Sequence, residues 1–152
     1  MMTSCQEANN AMSETPSNIE TDLHKLSQFI NLPYPPQSAL WQVIQKGDDT
    51  KGLGPNDWAL VAVLHYDENA IQKLRLEMAN LQPLEKLVVQ SNFIQDWLSQ
   101  AIQNSFIKDE GTDYLTLSVP RYSASLFAKP PLLNGYFFLT ENGEIFLYLF
   151  TT

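Results

Sequence analysis

The sequence predicts an α+β fold: an antiparallel sheet of four to five strands with a central pair of helices packed on one face. Three observations lead there. Strand-length apolar or alternating blocks lie toward both ends of the 152-residue chain, at 40–46, 58–66, 114–119, 135–140 and 144–151. Between them, 68–81 and 91–106 repeat apolar residues at helical spacing. The dipeptide Asn142-Gly143 joins the last two blocks as a hairpin turn does. Strands grouped at both ends of a helical pair pack most simply as one sheet with helices on a face.

The first element falls at 21–32, where Leu23, Leu26, Phe29 and Ile30 are spaced for a helix capped by Thr21 or Asp22. Pro33, Pro35 and Pro36 stop it. Residues 40–46 set Trp41 and Val43 on one strand face, Leu40 and Ile44 on the other. A loop over 47–57 follows. Residues 58–66 are apolar on both faces as far as His65, the pattern of a strand inside a sheet. Asp67 caps a helix reaching Leu81, with Ile71, Leu74 and Met78 in its stripe.

Ser91 opens the second helix, striped by Phe93, Ile94, Trp97, Leu98, Ala101, Ile102 and Phe106. Residues 108–113 turn, and 114–119 alternate into a half-buried strand ended by Pro120. Pro130 and Pro131 keep 121–133 out of any central strand. Asn142-Gly143 favours a type I′ turn. Aromatic residues alternate through that hairpin, so some face away from the helices. Monomers seldom leave large apolar patches open, and the expected cover is the 121–133 segment.

Net charge is −8, from 17 acids and 9 bases. Such a surface repels phosphate backbones and argues against nucleic acid, while it suits a basic partner. No apolar run approaches the roughly 18–20 residues that span a bilayer as a helix. One cysteine allows no internal disulfide and no Cys-rich metal site.

Little in the chain signals chemistry. His65 and Asp67 lie at a strand end and a helix start, where a base with a carboxylate partner would fit. Cap and strand-end roles explain them more simply. The glycines Gly52 and Gly54 lead into a strand rather than into a helix, and no P-loop Lys accompanies them. Ser125 and Lys129 are one residue too far apart for a Ser-x-x-Lys pair. Arg121, Tyr122, Phe127 and Lys129 read either as contact residues on a stiff, proline-bearing surface loop or as cover for the edge of the core. No cofactor motif and no metal-ligand set emerges.

The start of the chain carries an address. Met2-Thr3-Ser4-Cys5 is large apolar, small, small, Cys, and it resembles the end of a bacterial lipoprotein signal. The resemblance implies acylation of Cys5; the basic and apolar parts of a full signal do not stand before it, as expected of a start assigned too late or of a processed sequence. In a Gram-negative source, Gln6 rather than Asp after the cysteine implies the outer membrane. Residues 6–21 have linker composition, rich in Asn, Ser, Thr and Glu. The expected organisation is a tether over 1–21 and one domain over 22–152. A cytosolic protein with an incidental Cys5 is the alternative. A second similarity, of Gly54-Pro55-Asn56-Asp57-Trp58-Ala59-Leu60-Val61-Ala62-Val63-Leu64 to small bacterial proteins, implies no site.

Three functions fit these observations. The first is a non-enzymatic, membrane-tethered interaction protein of the envelope, binding a basic protein or an envelope component. The second is a small-molecule binder or enzyme with a pocket between helices and sheet. The third is a cytosolic oligomerisation module using the edge of the C-terminal hairpin.

Overall fold

The computed structural model describes residues 19–45 and 58–151. Cys5, most of the expected tether and the loop bearing Gly52 and Gly54 lie outside the described residues. The chain runs α1 (Leu23–Phe29), β1 (Ser38–Gln45), β2 (Trp58–His65), α2 (Glu68–Met78), β3 (Val88–Gln90), α3 (Gln100–Asn104), β4 (Phe106–Lys108), β5 (Tyr114–Leu117), β6 (Tyr122–Ser123), β7 (Asn134–Leu139) and β8 (Glu144–Phe150). Short 3₁₀ turns occupy Ser91–Phe93 and Ala124–Leu126.

The fold is α+β, as the sequence predicts. Its main sheet has five strands in the order β1-β2-β8-β7-β6, and every neighbouring pair is antiparallel. The run 58–64 lies inside this sheet because it has apolar side chains for both faces. Leu60, Ala62 and Leu64 enter one core with Phe137, Leu147 and Leu149. Val61 and Val63 enter a second core with Phe138 and Phe146. Each large side chain fully buried this way contributes about 1.5–3 kcal/mol, so both faces must be covered.

The first face is covered by α1, α2 and the 122–132 segment. Asp22 caps α1 by accepting from the Lys25 backbone N–H at 3.1 Å, and Asp67 caps α2 by accepting from Ala70 at 2.9 Å. Leu26, Ile71 and Leu74 are buried on this side, and Phe127 meets Phe137 edge to face at 5.3 Å. Glu20, expected in the tether, instead bridges to Trp41 at the sheet edge.

The second face is covered by a separate three-stranded sheet, β3-β5-β4, together with α3. Phe106 packs on Phe138 at 5.8 Å, and Phe93 on Tyr148 at 5.2 Å. The expected pair of helices on one face is therefore divided, with α2 on one side and α3 on the other. The aromatic face is closed, but by 87–119 rather than by 121–133.

The long helix expected from Ser91 to Phe106 is also broken. Only Gln100–Asn104 is α-helical, and Phe106 begins a strand. A straight helix would carry its stripe along one line. The broken path instead sends the Trp97 indole N–H to the side-chain oxygens of Gln42 and Gln95, both at 3.0 Å. Ser99 then caps a fresh helix by accepting from Ile102 at 3.3 Å. Phe93, Leu98, Ile102 and Phe106 still reach one core, so the periodicity reports shared burial rather than continuous helix.

The Asn142-Gly143 hairpin forms, but not with a type I′ turn. Among the described residues no non-glycine has positive φ, and only Gly143 of the pair does, at 87°. Gly143 N–H donates to the Thr140 carbonyl at 3.2 Å, and Thr140 N–H to the Glu144 carbonyl at 2.8 Å. This is a three-residue loop with glycine in the bulge position. β8 lies between β2 and β7, and β6 pairs with β7 at Tyr122 and Ser123.

Candidate functional site

Antiparallel register lines up a polar row at one end of the main sheet. Ser38 pairs with His65, and His65 pairs with Glu144, on three adjacent strands. The Glu144 carboxylate is buried. One oxygen accepts from the Ser99 hydroxyl at 2.6 Å, and the other lies 2.8 Å from His65 Nε2. On the other side of the ring, His65 Nδ1 lies 3.4 Å from the Ser38 hydroxyl. The order serine, imidazole, carboxylate resembles a nucleophile–base arrangement.

Its surroundings suit a structural clasp better. His65 is two-fifths exposed, and the cavities described below are not lined by Ser38, His65 or Glu144. The clasp has a physical task. β2 is apolar on both faces, so its own side chains specify register weakly. The polar pairs at His65 and Glu144 exclude a slip. Ser99 joins α3 to the same carboxylate and so fixes the second layer to the first.

Two cavities flank the stretch after β5. One of about 340 Å³ has polar walls from Asn104, Ser105, Thr140 and Asn142. These groups largely satisfy one another: the Thr140 hydroxyl donates to Asn142 at 2.5 Å, and Ser105 Oγ to the Ala101 carbonyl at 2.9 Å. The other, about 290 Å³, lies between 84–87 and 117–121 and includes Lys86 and Arg121. Arg121 Nε donates to the Glu85 carbonyl at 2.9 Å, and its guanidinium lies 5.0 Å from the Tyr136 ring centroid. Burial pushes the Tyr136 hydroxyl well above the usual tyrosine range, and Arg121 offsets that only in part.

A third feature is the outer face of the small sheet. Val88, Thr116 and Ile107 form one cross-strand row, and Tyr114 lies beside it on β5. Val88 and Ile107 are 53% exposed and Tyr114 44%, while the opposite face supplies Leu117 and Phe106 to the core. The turn at one end carries Asp109, Glu110 and Asp113. Thr116 donates to Asp109 and Ser91 to Asp113, which holds two of these carboxylates at the border of the face.

The residues singled out in the sequence are scattered by the fold. His65 joins the polar row. Asp67 is the cap of α2. Phe127 is fully buried, so it is core and not part of a contact loop. Tyr122 leans on Phe137 at 5.8 Å. Lys129 donates to the Ser27 carbonyl at 3.1 Å, in the last turn of α1, where a cation is favoured. That bond carries Lys129 Nζ to α1 and away from any partnership with Ser125. Of these residues, Arg121 lines one of the two cavities described above. Sequence reasoning missed Glu144, Ser99 and Ser38. Glu144 shares strand parity with Phe146 and Tyr148, and a carboxylate in that inward register was the available signal.

Elsewhere the Tyr34 hydroxyl donates to Glu77, which raises its pKa. The buried Tyr66 hydroxyl has no hydrogen-bond partner among the described residues, and burial raises its pKa strongly. Among the described residues no three His, Cys, Asp or Glu side chains gather as metal ligands, and no helix is long and apolar enough to cross a membrane.

Fold and surface together define a small α+β domain whose second sheet presents an apolar face that is uncovered among the described residues. No protein-family model, no curated protein and no solved structure matches the chain.

Proposed function

We propose that this chain is a non-enzymatic interaction protein of the bacterial envelope, tethered through acylated Cys5, that binds a basic protein. The observation that carries this reading is the outer face of β3-β5-β4. Three large apolar side chains there are more than two-fifths exposed, beside three carboxylates. An apolar centre with a charged rim is the anatomy of a protein contact. The acidic border steers a basic partner toward it and sets its orientation. Acylation supplies the membrane attachment without a spanning helix, provided more than one chain is added.

Fractionation of the native host tests the tether. The wild-type chain sediments with membranes, and Cys5→Ser moves it to the soluble fraction. Wild-type protein that is soluble, with an unmodified thiol at Cys5, contradicts the proposal.

A second reading, a small-molecule binder, is favoured by one specific observation: the cavity beside Arg121, whose cations have no acidic partner among the described residues.

A further inference from the structure

We propose that the cavity at Arg121 binds a small monocarboxylate with an apolar tail. This inference is independent of protein binding by the small sheet. The cavity holds about 290 Å³, near the lower limit of roughly 300–1,000 Å³ for small-molecule sites. Its walls are largely apolar, from Leu84, Leu87, Leu117 and Val119. Two cations line it. Arg121 is pre-organised, since its Nε is held by the Glu85 carbonyl and its guanidinium carbon lies 5.0 Å from the Tyr136 ring centroid. Its two terminal nitrogens have no partner among the described residues, and neither does Lys86 Nζ.

A guanidinium fixed at Nε presents its remaining N–H groups as a rigid fork, and a planar carboxylate matches that fork with two parallel hydrogen bonds. Lys86 adds a second charge. The ligand's charge is bounded from above. Glu85 also lines the cavity, and the chain as a whole carries −8, so a doubly charged phosphate meets more repulsion than a single carboxylate does. The apolar walls call for a hydrocarbon body.

Hexanoate is a suitable probe, with hexan-1-ol as a control of equal tail length. The full chain, labelled with nitrogen-15, is titrated with each and followed by NMR. Hexanoate is expected to produce saturable shifts at Arg121 Nε–H and at the amides of Leu87 and Val119. Hexan-1-ol is expected to bind at least about tenfold more weakly, for want of the charge-assisted pair. Arg121→Gln should weaken hexanoate about tenfold, and Lys86→Gln a few-fold. Arg121 also ties Glu85 to Tyr136, so Arg121→Gln is first checked for a native spectrum. If it is not folded, Lys86→Gln and the alcohol comparison decide. The absence of saturable shifts with hexanoate overturns the assignment. So does equal binding of acid and alcohol, or hexanoate affinity unchanged in every folded variant.

Discussion

Gly135→Ala is expected to destabilise the protein by more than about 3 kcal/mol, which puts it among the exceptional single substitutions. Gly135 sits on β7 with φ of 149°, a backbone region that side-chain-bearing residues rarely adopt. A Cβ placed there would lie 2.0 Å from the Tyr148 carbonyl oxygen and 2.9 Å from Leu149 Cα. Both are backbone atoms of the paired strand β8, so no rotamer change relieves the clash. The strands must separate, and Phe137, Phe138, Phe146 and Leu147 lose their packing with them. A domain of this size has about 5–15 kcal/mol in total, so a large share would be lost. Urea denaturation measures this. A change below about 1 kcal/mol means that β7 and β8 do not approach as described.

Glu144→Ala is the second large effect, with an expected loss of about 2–4 kcal/mol. The substitution removes a buried acceptor of two charge-assisted hydrogen bonds, leaving the Ser99 hydroxyl and the His65 imidazole without their carboxylate. Ser99 also caps α3, so the loss spreads into the second layer. Glu144→Gln keeps an acceptor for Ser99 and a polar neighbour for His65, and it should cost about 1 kcal/mol. Thermal unfolding of the two variants separates the cases. Equal stability of Glu144→Ala and wild type would mean the polar row does not hold the layers together.

The sequence was informative where one rule governed one element. Asp22 and Asp67 cap their helices as their residue type demands. The doubly apolar run 58–64 is inside the sheet. Alternation and the Asn142-Gly143 dipeptide placed β7 and β8 opposite each other. It failed where two structures satisfy the same pattern. Phe93, Leu98, Ile102 and Phe106 are spaced for a helix, yet a chain of turns buries the same four side chains and also lets Trp97 reach Gln42. Tertiary pairing overrode local spacing there. The strands at Val88–Gln90 and Phe106–Lys108 are three residues each, too short for alternation to register. They exist because both pair with β5.

The functional features were harder to read for a related reason. The Ser38–His65–Glu144 row is assembled from strands far apart in sequence, and only register brings its members together. Arg121 was singled out for its charge and its loop, but its cavity depends on 84–87, which no pattern linked to it. Phe127 is open to two readings in the sequence, surface contact or cover for the core's edge, and the segment folds back and buries it in the core.

Photo-crosslinking in the native host tests the contact face most directly. A photoreactive residue replaces Ile107, 53% exposed at the β4 end of the outer row, and in a parallel strain replaces Leu133, 59% exposed outside that face. The account predicts one reproducible protein adduct at Ile107, lost when Val88 is changed to Asp, and none at Leu133. No adduct at Ile107, or the same adducts at both positions, would contradict it.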